Sequence, residues 1–317
     1  MTRHAIGPLA PTELGALAQL WNAAPAASGR LGARLPLGER ALRRWWSSPD
    51  TDAALTFALR SDGGRLLGAL LARAPNRAWA DARVGHVSLL VVDRELRGQG
   101  LGRALLGRAL EALAERGRGT VRLGADPEHL MPGVPLDADD ATWRFLLRSG
   151  AVPGVVEHDL RVDLRAAPAP AAPGEGLRLV DDDPAAAVAF VERCFPGRWA
   201  DEMRASAAAG VPLLTLRDDA DATLGFAAAY RLEDAQLGPS LTWHEALPGP
   251  VGGLGPLGVD PERRGRGLGL ALVRAGLAWH HARGARDVVL DWTTLTPFYG
   301  RLGARAWRSY QRAELTP

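Results

Sequence analysis

The chain has 317 residues, of which 47% are hydrophobic and 23% charged, a globular composition that excludes a largely disordered protein. The 38 Lys+Arg, every one of them arginine, stand against 36 Asp+Glu for a formal charge of +2. No arginine stripe alternates with aromatics, so no nucleic-acid partner is expected. Cys194 is the only cysteine, which rules out an internal disulfide and a thiolate metal cluster. The histidines are scattered, and the adjacent pair His280 and His281 would diverge by about 100° on a helix, so no metal is expected. Pro8, Pro11 and Glu13 interrupt any leader-like apolar run, and stretches such as 86–92 are of strand length. A cytoplasmic protein without a membrane partner is the expectation.

Read in chain order, Thr12 can cap a helix to Ala23, and a second helix covers 38–47. Strands are predicted at 54–60 and 66–73, joined by a turn at 61–64, and a third at 85–92. A helix over 100–116 follows, with Leu101, Leu105, Leu106, Leu110 and Leu113 on one face and Gly117 as its stop. A strand at 120–123, a helix near 140–148 and strands within 155–164 complete this stretch. Residues 166–176, AAPAPAAPGEG, read as an extended linker. Beyond it the same order returns: helices at 184–195 and 199–209, strands at 212–217, 224–231 and 253–259, a long helix 267–283, a strand 287–292, a short helix 297–302 and a last strand 307–312.

The return is literal. Residues 90–117, LVVDRELRGQGLGRALLGRALEALAERG, repeat as 257–284, LGVDPERRGRGLGLALVRAGLAWHHARG, at an offset of 257 − 90 = 167. FLLRSGA at 145–151 repeats as FYGRLGA at 298–304, at an offset of 298 − 145 = 153. The first copy therefore carries 167 − 153 = 14 extra residues, for which 126–140 is the place. Two mixed α/β domains are expected, 1–165 and 177–317, separated by the linker at 166–176. Two long copies are a duplication, not a solenoid.

The sharpest signal is a strand ending in Val-Asp, a short loop, then Arg-x-x-Gly-x-Gly opening a long helix. It stands once at Arg97, Gly98, Gln99, Gly100 and Gly102, and again at Arg264, Gly265, Arg266, Gly267 and Gly269. Glycine lets backbone approach a ligand and take left-handed dihedrals. The first turn of a helix leaves N–H groups unpaired, and its dipole favours an anion such as a diphosphate. A P-loop would need a lysine, and a dinucleotide fingerprint would need Gly-x-Gly-x-x-Gly. The bland alternative is a tight turn that binds nothing; the duplication, with the same arginine each time, argues against it.

These residues resemble the GNAT superfamily of acetyl-CoA-dependent N-acetyltransferases, whose coenzyme motif [Gln/Arg]-x-x-Gly-x-[Gly/Ala] is matched by RGQGLG at 97–102 and RGRGLG at 264–269. The resemblance covers nearly the whole chain in tandem. It implies a mixed sheet whose fourth and fifth strands splay, with pantetheine laid along the fourth as a substitute strand. The backbone of Leu90 and Val92, or of Leu257 and Val259, would carry it. The diphosphate would rest on the N–H groups from Arg97 to Arg103, or from Arg264 to Leu270. Acetyl-CoA would be the co-substrate and a small-molecule amine the acceptor.

Attack of an amine on a thioester first needs a neutral amine. An alkylammonium with a pKa near ~10.4 costs about 4.6 kcal/mol to deprotonate at pH 7. A main-chain N–H can stabilise the oxyanion, and a tyrosine can protonate the leaving thiolate. The family often places that tyrosine four residues before a glycine, where this chain has Tyr299 and Gly303; the first copy has Leu146 before Gly150. The second domain is therefore the expected seat of chemistry, with Tyr299 as acid. For the base, Asp291 on the fifth strand competes with a purely structural carboxylate. Some tandem relatives that resemble mycothiol synthase carry a glutamate where Gly253 stands; the first copy has His86 there, which reads better as a satisfied strand histidine. His244 and Glu245 could overhang the pocket or lie in a solvated loop. The family often has an asparagine where Trp292 stands, and Trp292 reads as acceptor wall or core. Two further readings stay open, a mycothiol-synthase-like acetyltransferase and a non-catalytic acetyl-CoA binding or sensing protein.

Overall fold

The computed structural model describes residues 4–23, 35–166 and 173–317. Two compact units emerge, one of Met1–Glu157 with Ser309–Pro317, the other of His158–Arg308. The division thus falls elsewhere than at 166–176. That segment lies within the second unit, and its residues 167–172 lie outside the described residues.

The first unit begins with β1 (Ala5–Pro8), α1 (Leu14–Ala23) and α2 (Glu39–Trp46). Thr12 does not cap α1. It lies in a 3-10 turn, Pro11–Glu13, whose Glu13 carboxylate accepts from the Ala10 N–H at 2.8 Å. Next come β2 (Thr56–Arg60), β3 (Leu66–Arg73), β4 (Val84–Val92), α3 (Leu101–Ala114), β5 (Thr120–Leu123), β6 (Val134–Pro135), α4 (Asp140–Arg148) and β7 (Val152–Asp163). The leucine face of α3 packs on the sheet with Leu59, Leu70, Val87 and Val121. Both faces of β3 and β4 are covered, which is why these strands read as near-continuous apolar runs.

The second unit holds the end of β7 from His158, then β8 (Leu177–Val180), α5 (Pro184–Cys194), α6 (Arg198–Ala208), β9 (Leu213–Asp218), β10 (Thr223–Arg231), β11 (Val251–Val259), α7 (Leu268–Ala282), β12 (Asp287–Thr293), α8 (Thr296–Gly300) and the start of β13 (Arg305–Leu315), which returns to the first unit at Ser309. The duplication is visible in the pairing. β2, β3 and β4 run antiparallel in sequence, then β4 meets β5 in parallel; β9, β10 and β11 do the same before β11 meets β12. The crossover between each parallel pair is the long helix, α3 or α7.

Each sheet is finished by a strand from a distant stretch of chain. β12 pairs with His158–Asp163 at the end of β7, and β5 pairs with Glu314 and Leu315 at the end of β13. The insertion expected at 126–140 carries β6, which pairs with Tyr310 and Gln311. Gly133 lets it come close, since a Cβ there would stand 2.6 Å from the Gln311 carbonyl oxygen.

Candidate active site

In each unit the parallel pair parts midway. β5 accompanies β4 only over Val84–Val87, with the Gly124 N–H to the Val87 carbonyl (2.8 Å) as the last rung. β12 accompanies β11 only from Val251 to Gly253. Beyond these points β4 and β11 keep their antiparallel neighbours alone. The Asp93 N–H donates to the Leu67 carbonyl (2.7 Å) and the Asp260 N–H to the Leu224 carbonyl (2.9 Å). Alternation along an antiparallel strand then turns the main-chain groups of Leu90, Val92, Leu257 and Val259 toward the gap. Each strand bulges where the gap opens, at Ser88 opposite Leu71/Ala72 and at Gly255–Pro256 opposite Ala228.

The glycine loops lie at the far end of each gap. Gly98 and Gly100 have φ of +78° and +82°, and Gly265 and Gly267 both have +79°. A Cβ on any of the four would meet nothing within 4 Å, so conformation and not crowding demands glycine there. Gly100 and Gly267 are the N-caps of α3 and α7, and neither helix start receives a side-chain cap. The result is two open, exposed arcs of main-chain N–H groups suited to an anion. Gly102 and Gly269 serve a different purpose, leaving room for Phe145 and Phe298 (3.8 and 3.2 Å from a built Cβ) beneath the loops.

The side chains of the loops do less than the backbone. Arg97 turns back, its Nε–H donating to the Val92 carbonyl (3.2 Å) and Nη1 reaching Asp139, the N-cap of α4, at 3.5 Å. Gln99 donates to the Glu95 carbonyl at 3.5 Å. Arg103, Arg264 and Arg266 are exposed, and Leu270 is half-buried.

In the second unit the structure brings Tyr299 and Asp291 together. Tyr299, on α8, is buried beside Phe298, with ring centroids 4.8 Å apart and edge to face. Burial, reinforced by the negative charge of Asp291, pushes its phenol up to about 12, so it keeps its proton throughout the physiological range. Asp291 Oδ1 lies 3.6 Å from where a Cβ of Gly255 would stand, at the mouth of the gap. Trp292 sits in the same bulge of β12 with φ +50°; its N–H donates to Asp159 Oδ1 (3.0 Å) and Arg198 stacks on its ring at 4.8 Å.

The other base candidates are placed differently. His86 is buried, and its Nδ1–H donates to the Gly124 carbonyl (3.0 Å). Burial lowers its pKa, so it is a neutral, satisfied strand residue. His244 Nδ1–H donates to the Leu241 carbonyl (2.8 Å) in a short turn, and Glu245 faces solvent. At Gly253 the space is taken, because a Cβ would stand 2.1 Å from the Ser240 hydroxyl. The carbonyl of Gly253 accepts from the buried His280 Nε2–H (3.1 Å). Neither Ser240 nor His280 carries a motif that sequence reading could have used.

The offsets map one unit on the other. Asp291 corresponds to Gly124, Tyr299 to Leu146, Gly255 to Ser88 and Gly253 to His86. Trp292 corresponds to Ala125, and both have positive φ. The first unit therefore keeps the gap and the loop but not the carboxylate or the phenol. A cavity of about 780 Å³ runs along β4 between the loop and Leu146.

Comparison with known proteins follows the same lines. The profile of the acetyltransferase (GNAT) family matches residues 18–130 and 180–304. A mycothiol acetyltransferase of Thermobispora bispora is 32% identical over 240 residues, 69% of this chain and 72% of the relative. Among solved structures, the glucosamine N-acetyltransferase region of a fungal multi-domain GH3 β-N-acetylglucosaminidase superposes with a TM-score of 0.82 at 23% identity, over 99% of this chain and 38% of that one. A tandem GNAT protein from the clavulanic acid pathway superposes at 0.71 with 20% identity, over 99% and 98% of the two chains. Among the described residues no helix is long and apolar enough to cross a membrane, and no group of three or more His, Cys, Asp or Glu is placed to hold a metal.

Proposed function

The chain belongs to the GNAT acetyltransferase family, and from that premise we propose that its second unit moves the acetyl group of acetyl-CoA to a primary amine of a small molecule in the cytoplasm. The observation that carries the reading is the convergence of Tyr299 and Asp291 where β11 leaves β12. The first unit lacks both groups.

Acetyl-CoA supplies the activated thioester, and this chain has the surfaces to hold it. The diphosphate fits the main-chain N–H groups from Arg264 to Leu270, since Gly265 and Gly267 leave open space above the loop. Leu257 and Val259 offer strand-like main-chain partners to pantetheine along the gap. The equivalent groups of the first unit are Leu90 and Val92, with the loop from Arg97 to Arg103. Pro256 has no N–H, so an N–H for the acyl oxygen falls to Leu257.

Asp291 is the base. Reaching the neutral amine costs about 4.6 kcal/mol at neutral pH, and the carboxylate takes the remaining proton as the new C–N bond makes the nitrogen acidic. Tyr299 is the acid, returning a proton to the departing sulfur. A phenol with a pKa of about 12 arrives protonated and offers its proton as a hydrogen bond to the departing thiolate. Trp292, held by Arg198, walls the acceptor side.

The acceptor is an amine carried by a polar small molecule, such as an amino sugar, an aminoglycoside-like compound or an amino-acid derivative. The named relative supports a second version, an amine-bearing precursor of mycothiol. Ser240, which fills the space over Gly253, weighs against that version because no carboxylate can stand there.

The test is CoA-thiol release with acetyl-CoA and a panel holding each of these amine classes. Tyr299→Phe should lower kcat by about 10²–10⁴ while the KM for acetyl-CoA holds. Tight coenzyme binding with no turnover on any amine would favour a sensing protein instead.

A further inference from the structure

Asp291 sits on a kink in its own strand, and that kink has an anchor. β12 runs in register with β7 from Asp287 opposite Asp163 to Leu290 opposite Leu160, then slips by one residue before Thr293 meets His158. Asp291 and Trp292 thus share the single place opposite Asp159, a bulge that bends the strand and re-aims its side chains. Trp292 takes φ +50°, a left-handed conformation that a bulky residue keeps only where its surroundings hold it. The holding contact is a side chain: the Trp292 N–H donates to Oδ1 of Asp159 at 3.0 Å, and Asp159 is buried.

The first unit holds its corresponding backbone differently. The offset that carries FLLRSGA to FYGRLGA also carries Asp159 to Arg312, 312 − 159 = 153. The strand pairings agree, since Val162 lies opposite Val288 as Leu315 lies opposite Val121. Arg312 turns to Glu157 instead, at 2.7 and 2.9 Å. Ala125, the left-handed counterpart of Trp292, gives its N–H to the Met131 carbonyl at 2.7 Å. Main chain suffices where the preceding residue is Gly124; a carboxylate anchor stands where the preceding residue is Asp291. We propose that Asp159 is a positioning residue of the second unit: through the Trp292 N–H it fixes the bulge that holds the Asp291 carboxylate over Gly255 and the Trp292 ring beneath Arg198. The inference rests on the reading of Asp291 as the base.

The test is CoA-thiol release by the full chain, paired with hydrogen exchange of a peptide covering 288–295. Asp159→Ala should lower kcat about tenfold to hundredfold, hold the KM for acetyl-CoA, and speed exchange in that peptide. Asp159→Asn keeps an acceptor oxygen in place and should return kcat to within about threefold of wild type. In an Asp291→Asn background, Asp159→Ala should lower kcat by less than about threefold, because the group it positions is gone; a purely structural role would cost the same factor in both backgrounds. If Asp159→Ala does not fold, Asp159→Ser, whose hydroxyl falls short of the Trp292 N–H, takes its place. Equal losses in the two backgrounds overturn the proposal, as do an Asn variant as impaired as the Ala variant and unaltered exchange over 288–295. An Asp291→Asn enzyme with undiminished kcat overturns the base assignment beneath it. Wild type without turnover on any amine overturns the acetyl-transfer reading instead, and exchange over 288–295 then decides whether Asp159 holds the bulge.

Discussion

His280 makes the stability of the second unit depend on acidity in a calculable way. Its ring is 1% exposed, lies over Gly252, and gives its Nε2 proton to the Gly253 carbonyl. Burial pulls its pKa from 6.5 down to about 4. The unfolded chain therefore binds a proton below about 6.5 that the folded unit refuses until about 4. The contribution is fully present above that window, declines as pH falls through it, and is gone below it. At about 1.36 kcal/mol per pKa unit the whole loss is about 3 kcal/mol, and about 2 kcal/mol of it has gone by pH ~5. The assay is denaturant-dependent hydrogen exchange of peptides over 251–259, followed from about pH 8 to 4.5 after correction for intrinsic exchange. This follows the unit itself and needs no two-state transition of the whole chain. His280→Gln keeps a donor for Gly253 but does not titrate. The difference between wild type and variant should slope through this window, and carboxylates common to both cancel. Parallel curves would show that His280 is protonated in the folded unit, and the argument would be wrong.

Two substitutions probe the glycines. Gly253→Ala drives a methyl to 2.1 Å from the Ser240 hydroxyl, and should cost about 1–3 kcal/mol in thermal or denaturant melting. Adding Ser240→Gly should restore much of it; purely additive losses would mean the two residues do not meet. Gly267→Ala has room for its methyl but must hold φ near +79°, so it should cost about 1–2 kcal/mol of stability. The methyl also enters the space above the loop, so calorimetry should find CoA binding at 264–270 weakened roughly tenfold, and unaltered binding would remove the loop from the site.

The parts of this fold legible in sequence are those that local rules specify. Gly100 and Gly267 announce left-handed backbone before a helix, the leucines of α3 announce its buried face, and Tyr299 stands at a fixed distance from Gly303. The repeat converts each weak signal into a pair. What stayed hidden depends on residues far apart in the chain. Ser240 occupies the space over Gly253 only because a loop returns there. His280 looks like half of an ordinary surface pair until α7 is laid on β11. Arg97 looks like a phosphate ligand, yet its guanidinium is spent on Val92 and Asp139. Thr12 lost its capping role because Pro11 before it opens a 3-10 turn that carries the chain into α1.

The reciprocal loan of terminal strands has a consequence for how this protein can be divided. Scissors applied at the proline-rich connector would yield a front piece missing 309–317, which supply the partner of β5, and a rear piece missing 158–163, which supply the partner of β12. Each would carry a raw sheet edge ready to pair with any passing chain. The duplicated halves are thus joined by heredity and by manufacture alike, and neither can be evolved, expressed or lost as an independent module without first repatriating its borrowed strand.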